Sequence, residues 1–319
     1  TGPVGAGEAV RIFTGAPVPA GADTVIMQEE AERNGDLVRF RSLARLGHSV
    51  RPRGYDFARG KAVLTAGTRL GPLQLAVAAA ANAGRVEVAR RPNIALLATG
   101  DELVLPGTAL GPDQIVASNS VGLAAMLAPF ADRVVDFGIA RDERAALDGV
   151  LDAILASEPD VLVTTGGASV GEHDLVQAAL LDHGVTLDFW RINMRPGKPL
   201  MFGTRGKTLV FGLPGNPVSA MVTAEIFIKP ALRRWLGLAE AEPMRLPLLA
   251  PTPPNTARRH FMRARVVTRD GVTGLLPISE TDSGHTSSLA AADALIVQPE
   301  FDPGQEVGTV VSAIAIGEI

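Results

Sequence analysis

The sequence predicts an α/β fold: a central, mainly parallel three-layer α/β domain with a flanking β-rich domain and a small C-terminal β-barrel, in an elongated multi-domain chain. Three observations carry this. From about 93 to 236, apolar runs alternate with helical stretches, as parallel strands joined by crossover helices do. Polar, glycine-bearing segments stand at the ends of those runs, where open α/β sheets collect ligands. Outside that span the alternation stops, and short strand-like segments broken by turn residues replace it.

Composition narrows the function. The chain has 319 residues, 46% hydrophobic but only 4% aromatic, so its core is aliphatic. It has no cysteine, which excludes disulfides, thiolate metal ligands and a cysteine nucleophile. A formal charge of −4 gives no reason to expect nucleic acid or an anionic membrane as partner. The Leu73–Ala83 run is too short to span a bilayer. Thr1 is not Met and no basic leader precedes an apolar stretch, so the expectation is a cytoplasmic chain missing its true N-terminus.

Residues 1–50 read as the β-rich domain, with strand-like Ala9–Phe13, Thr24–Met27 and Leu37–Phe40 and a hairpin signal at Asn34-Gly35. Thr14-Gly-Ala-Pro-Val-Pro19 is too proline-rich for a central strand and reads by itself as a rigid loop. Residues 51–91 form a small mixed linker domain. It opens on Arg51-Pro-Arg-Gly-Tyr-Asp56, a loop in its plain reading, and contains a helix over Leu73–Ala83 stopped by Gly84.

In the α/β domain, 92–238, strands are expected at Ile94–Ala98, Val134–Phe137, Val161–Val163 and Leu209–Phe211. Helices are expected over Asn119–Phe130, Glu143–Ala156, Asp174–Asp182 and Pro217–Leu236, with Asn119 and Asp142 at N-cap positions. In 239–319, Pro243, Pro247, Pro251, Pro253 and Pro254 mark a linker. Strands Arg258–Val267 and Ala294–Val297, a turn at Asp270-Gly271 and a strand-like tail Gly304–Ser312 follow.

The chemistry concentrates at strand ends. Thr164-Thr165-Gly166-Gly167-Ala168-Ser169 leads from a buried strand toward a helix, placing bare N–H groups and a positive helix end together. That suits an anion; a plain tight turn is the other reading. Thr99-Gly100-Asp101-Glu102, Arg195-Pro-Gly-Lys-Pro199 and Leu213-Pro-Gly-Asn-Pro217 end neighbouring segments. Asp101 and Glu102 are adjacent, so on extended backbone they point apart, and Glu102 is the one expected to face a cleft. Asp142 and Asp174 are equally readable as helix caps, and Asn216 as a turn residue. His173 and His285 are conceivable general bases, but no second histidine stands at metal-ligand spacing.

Taken in order, Arg11–Pro19, Val25–Glu29, Arg51–Asp56, Thr99–Leu103, Gly166–Gly171, Arg195–Pro199 and Gly212–Ser219 resemble the molybdopterin molybdenumtransferases, the family of MoeA and of the E domain of gephyrin. The resemblance implies that adenylated molybdopterin and molybdate are the substrates and that molybdenum cofactor and AMP are the products, with Mg2+ assisting. It implies four domains and a homodimer whose cleft draws on both subunits, working with the upstream adenylyltransferase and molybdoenzyme apoproteins as further partners. Carried onto this chain, Asp56, Glu102, Asp142 and Asp174 match the acidic catalytic positions, with Asp56 and Glu102 as Mg2+ ligands. Thr14, Gly100, Thr165, Gly166, Gly167, Ser169, Arg195, Lys198, Pro214 and Asn216 match substrate-binding positions. Arg258 (or Arg259) and the Ser283–Ser288 stretch, Ser287 in particular, match more loosely, and a solvated loop is their plain reading. Arg195 departs from the family's usual lysine, replacing a point charge with a planar fork. An N-terminal segment that family members usually carry is not seen. The weighed alternatives are an adenylyltransferase-like or nucleotide-pyrophosphate-hydrolysing enzyme and a dimeric scaffold.

Overall fold

The computed structural model describes residues 2–42, 44–167, 175–280 and 282–317. The chain forms two compact units, Thr1–Thr65 with Leu70–Gly84, and Ala66–Arg69 with Arg85–Ile319. No described helix is long and apolar enough to cross a membrane.

The first unit is sparse in regular structure. Its hairpin pairs β1 (Ala31–Asn34) with β2 (Leu37–Phe40) in the register Asn34↔Leu37, which puts the two-residue turn at Gly35-Asp36. The partner of β2 is thus not Thr24–Met27, as expected, and neither that segment nor Ala9–Phe13 is a strand. A strand needs a ladder; here single bonds such as Val25 N–H to His48 O (3.0 Å) take its place. Helix α1 (Pro72–Ala80) starts on proline and stops before Gly84. Asn82 takes the left-handed conformation (φ 62°), and Ala83 N–H and Asn82 N–H return to the Ala78 and Ala79 carbonyls, closing the helix.

The second unit contains the α/β sheet. Its strands are β3 (Asn93–Thr99), β6 (Arg133–Ala140), β7 (Val161–Thr165), β8 (Thr186–Phe189), β10 (Met201–Arg205) and β11 (Thr208–Leu213). Between them lie the short pair β4 (Leu103–Val104) and β5 (Ile115–Val116), and β9 (Met194–Arg195). The order is β6-β3-β7-β11-β10-β8, parallel through β11, then antiparallel at β10 and β8, an edge hairpin the sequence reading missed.

Side chains alternate across the sheet. Ile94, Leu96, Val161, Val163 and Phe211 pack on one face with α2 (Ser118–Leu127), α5 (Pro217–Thr223) and α6 (Lys229–Trp235). Ala95, Leu97, Leu162 and Val210 pack on the other with α3 (Arg144–Ala156) and α4 (Leu175–Asp182). Covering both faces is why the strands read as uninterrupted apolar runs. Two expectations need correction. The N-cap positions are Ala117 and Glu143, not Asn119 and Asp142, and neither cap uses its side chain. The long helix over Pro217–Leu236 widens into a π turn at Ala224–Ile228, because Pro230 has no N–H for the carbonyl four residues back and its ring crowds that carbonyl.

The C-terminal part builds a second sheet from β12 (Met244–Pro247), β13 (Arg259–Arg269), β14 (Val272–Pro277), β15 (Ala294–Gln298) and β16 (Val310–Ala315), with α7 (Thr286–Ala290) before β15. The order is β12-β16-β15-β13-β14, and β9 joins β13. Leu249 N–H reaches Leu275 O (2.8 Å), so the segment after β12 meets β14 and the sheet curls back on itself. The proline-rich 243–254 stretch is therefore no linker: it carries edge strand β12, where proline is tolerated, and Leu248 is fully buried.

Candidate functional site

The sheet order sets the chemistry out along one edge. Asp142 follows β6, Gly100-Asp101-Glu102 follows β3, Gly166-Gly167 follows β7, and Pro214-Gly215-Asn216 follows β11. Residues Arg195–Lys198 precede β10, whose first residue Met201 pairs with Gly212 near the carboxyl end of β11. All five loops therefore lie at the carboxyl edge. The connections from β3 and β7 depart in opposite directions, to β6 and to β8 at the far edge, making the crevice between them the topological switch point. The edge is acidic at β6 and β3, glycine-lined at β7 and basic at β10. Three strand spacings separate the β3 and β10 loops, about 14 Å.

At the acidic end Gly100 has φ 146°, and a Cβ there would come 2.6 Å from the Glu102 carboxylate. Only glycine lets that carboxylate fold back over the turn. Asp101 accepts a hydrogen bond from Asp142 N–H (3.1 Å). Burial, then the charges of Asp101 and Glu102, push the Asp142 carboxyl above its ordinary range. The expectation that Asp101 turns away from Glu102 fails because 101–102 is a turn and not extended strand, so Asp142 feels both charges. Among the described residues no three His, Asp or Glu side chains form a ready metal cage.

In the centre, Gly166 and Gly167 have φ of 87° and 65°. A Cβ at Gly166 would run into the Thr99 carbonyl oxygen, and one at Gly167 into the Val176 side chain. The pair thus meets a demand of the protein's own packing as well as any demand of a ligand. Thr165 is buried at the end of β7. The loop after β11 comes close by: a Cβ on Gly215 would lie 3.7 Å from Gly166 Cα, and Asn119 Nδ2 donates to Gly215 O (2.8 Å). Pro214 is buried beneath it. Asn216 occupies an N-cap position without capping; its Nδ2 donates to Ser283 Oγ (3.0 Å), and Val218 N–H to Ser283 O (3.1 Å).

The basic end is a basin of about 330 Å³ lined by Arg195, Lys198, Arg258, Arg263, His260 and Ser283 among others. The Arg195–Pro196 peptide is cis and Gly197 has φ 101°. Arg195 Nη2 donates to Asn255 Oδ1 (2.9 Å), while its buried Nε finds no protein acceptor among the described residues. Burial, then the nearby Arg258 charge, lower its pKa. His260, paired in register with Arg195, is buried, and desolvation with the Arg195 charge holds it at about 4, so it is a neutral imidazole at pH 7. Gln298 Nε2 donates to Pro253 O (2.7 Å), which turns Oε1 toward His260 Nδ1 (3.4 Å) and makes Nδ1 the protonated nitrogen. Arg263 gathers the 280–288 loop, donating to Glu280 O (2.5 Å), Asp282 O (3.3 Å) and Ser288 Oγ (2.6 Å).

Of the residues expected from the sequence, Glu102, Asp142, Gly100, Thr165, Gly166, Gly167, Pro214, Asn216, Arg195 and Lys198 stand along this edge, and Arg258 lines the basin. Arg259 instead pairs with Glu300 (3.4 Å). Ser287 sits exposed on α7 and does not line the basin; Ser283 does. Thr14 and Asp56 are exposed residues of the first unit. Ser169, His173 and Asp174 lie outside the described residues. His285 is half-exposed beside Glu280 (3.3 Å). Asp101, Asn255, His260 and Arg263 were not anticipated. For His260 no local signal exists, since only the β9–β13 pairing brings it to Arg195.

Residues 1–82 match the MoeA N-terminal region (domain I and II), residues 95–234 the probable molybdopterin binding domain, and residues 245–316 the MoeA C-terminal region (domain IV). A molybdopterin molybdenumtransferase 2 of Mycobacterium tuberculosis is 37% identical over 300 residues, 91% of this chain and 73% of that protein. The chain belongs to the MoeA family. A molybdopterin molybdenumtransferase of Nostoc sp. is 38% identical over 237 residues; the match takes in 73% of this chain but only 54% of the relative's length. Among solved structures, a molybdopterin biosynthesis MoeA protein from Pyrococcus horikoshii superposes with a TM-score of 0.81 at 29% identity, covering 100% of this chain and 78% of that one.

Proposed function

We propose that this MoeA-family chain inserts molybdenum from molybdate into adenylated molybdopterin and releases AMP, the last step of molybdenum cofactor synthesis. The polarity of the carboxyl edge carries the reading: carboxylates at one end, glycine backbone in the middle and cations at the other suit a long substrate with an anhydride at its centre. Lys198, Arg195 and Arg258 hold an oxyanion at the basic end. Gly166 and Gly167, with Thr165, receive phosphate on backbone N–H groups, Ser169 is assigned to the same phosphate on its motif position, and Asn216 and Pro214 seat the nucleotide or pterin. The acidic end fits Mg2+, because burial and then the Asp101 and Glu102 charges raise Asp142, and a bound cation relieves that repulsion. Glu102 would hold it together with Asp56, assigned on its motif position, and with Asp142 as a further carboxylate at this end; when bound, it would neutralise charge on the phosphoryl oxygens. Asp174, Asp56 and Thr14 are assigned to the same reaction on their motif positions. The chain is proposed to act as a cytoplasmic homodimer, receiving its substrate from the upstream adenylyltransferase and passing cofactor to molybdoenzyme apoproteins.

The test is molybdate-dependent AMP release from adenylated molybdopterin. Glu102→Gln keeps the side chain's size but removes its charge, and release is expected to fall at least ~10-fold with the fold intact. In the same variant the Asp142 carboxyl should titrate lower, since one of the charges raising it is gone. Unchanged release would remove Glu102 from the reaction.

A further inference from the structure

Beyond the end of the β3–β6 ladder, the loops that follow these two strands are tied to each other through Asp101. Its Oδ1 accepts from the Asp142 backbone N–H (3.1 Å), and its own backbone N–H faces the Asp142 carboxylate and favours the charged form. Both residues are exposed, so the tie braces no core. Asp142 does not cap α3 either, since Glu143 holds the N-cap position. The register that sets the two residues opposite each other comes from a β-bulge in β6. Between the pairs Leu96↔Asp136 and Ala98↔Ile139, β3 advances two residues and β6 three. Gly138 accommodates the extra residue at φ 83°, and its N–H donates to Asp136 Oδ1 (2.9 Å). Pairing resumes through Thr99↔Ala140, and the same register two residues further on sets Asp101 opposite Asp142. With no extra residue in β6, Arg141 would stand there instead.

A bulge next to a site re-aims the residues that follow it, and a tie between two loops then holds the new aim. We propose that Asp101 is a positioning residue for the reaction: its side chain fixes the β6 loop so that the Asp142 carboxylate stays beside Glu102, and it does this as a hydrogen-bond acceptor and not as a charge. The inference rests on the reading that Asp142 serves molybdenum insertion. It gives the adjacent acids of the β3 loop different duties, Glu102 toward the substrate and Asp101 toward the neighbouring loop.

Asp101→Ala removes the acceptor, whereas Asp101→Asn keeps Oδ1 and loses only the charge. In the full chain, hydrogen exchange on peptides over 141–146 should accelerate ~10-fold in Asp101→Ala, as for the loss of one bond to a charged acceptor, and much less in Asp101→Asn. In molybdate-dependent AMP release, Asp101→Ala should lower kcat at least ~10-fold and leave KM for adenylated molybdopterin unchanged, because the glycine and basic loops are untouched. Asp101→Asn should recover most of that rate. Both variants replace an exposed turn residue and should melt near the wild-type temperature. Added to Asp142→Ala, Asp101→Ala should cost nothing more, since a positioning residue acts only through the group it positions. Unchanged exchange in Asp101→Ala overturns the proposal. So does an equal loss of rate in Asp101→Ala and Asp101→Asn, which would mean that the charge is what matters, and so does a further loss in the double variant. Wild-type release from Asp142→Ala alone would refute the underlying reading of Asp142, and the inference with it.

Discussion

Arg263→Met tests how the C-terminal sheet holds the basic end together. Arg263 is 5% exposed and donates to the Glu280 and Asp282 carbonyls and to Ser288 Oγ. Burial lowers its pKa, and Glu280 and Asp282 push it back up. Each charge-assisted bond in such a setting is worth ~1.5–3 kcal/mol. The freed carbonyls lie on a loop that water can reach, so part of that sum is recovered and a net loss of about 3 kcal/mol is expected. Methionine keeps most of the buried stem, so packing loss stays small. The loop carries Ser283, which binds Asn216 Nδ2 and Val218 N–H, so loosening it should release the residue after Gly215 as well. Hydrogen exchange read on peptides over 280–290 and 214–220 should accelerate in both regions, with AMP release falling. Arg263→Lys, with one ammonium in place of a fork, should lie between. If exchange over 280–290 is unchanged in Arg263→Met, the arginine does not organise this loop and the reasoning fails.

His260 supplies a pH dependence with a definite sign. Its folded pKa of about 4 lies below the ordinary 6.5, so the unfolded chain binds the proton first and stability falls as pH drops from 6.5 toward 4. The effect is at most about 3 kcal/mol, and His260→Asn should flatten that part of a urea-denaturation profile; an unchanged profile would assign the acid sensitivity elsewhere. Gly166→Ala forces a Cβ at φ 87° into the Thr99 carbonyl, so a loss of at least ~1–3 kcal/mol is expected. Gly215→Ala, whose Cβ would meet Gly166 Cα at 3.7 Å, should cost much less; equal melting temperatures for the two would show that the β7 turn is not strained by a side chain.

What was legible in the sequence followed from local rules. The inner parallel strands β3, β7 and β11 carry apolar runs because both faces are covered, and Ile94–Leu97 alternates between the two cores residue by residue. Once the fold class was read, Glu102, Gly166, Lys198 and Asn216 had to fall near strand ends, where chain order and crossover chemistry place loops. Tertiary structure decided what depends on pairing between distant segments. The antiparallel β8–β10 edge carries no more signal than a loop until β11 is present to pair with β10. The proline-rich 243–254 stretch reads as linker because its ladder partner, β16, lies some sixty residues later. Asp101 and Glu102 point apart on a strand but share a turn here, and only the neighbouring β6 loop brings Asp142 under both charges. His260 becomes a neutral imidazole because β13 buries it and lays it beside Arg195. Sequence period records which face a residue takes; charge and burial at a site depend on neighbours that only the completed sheets supply.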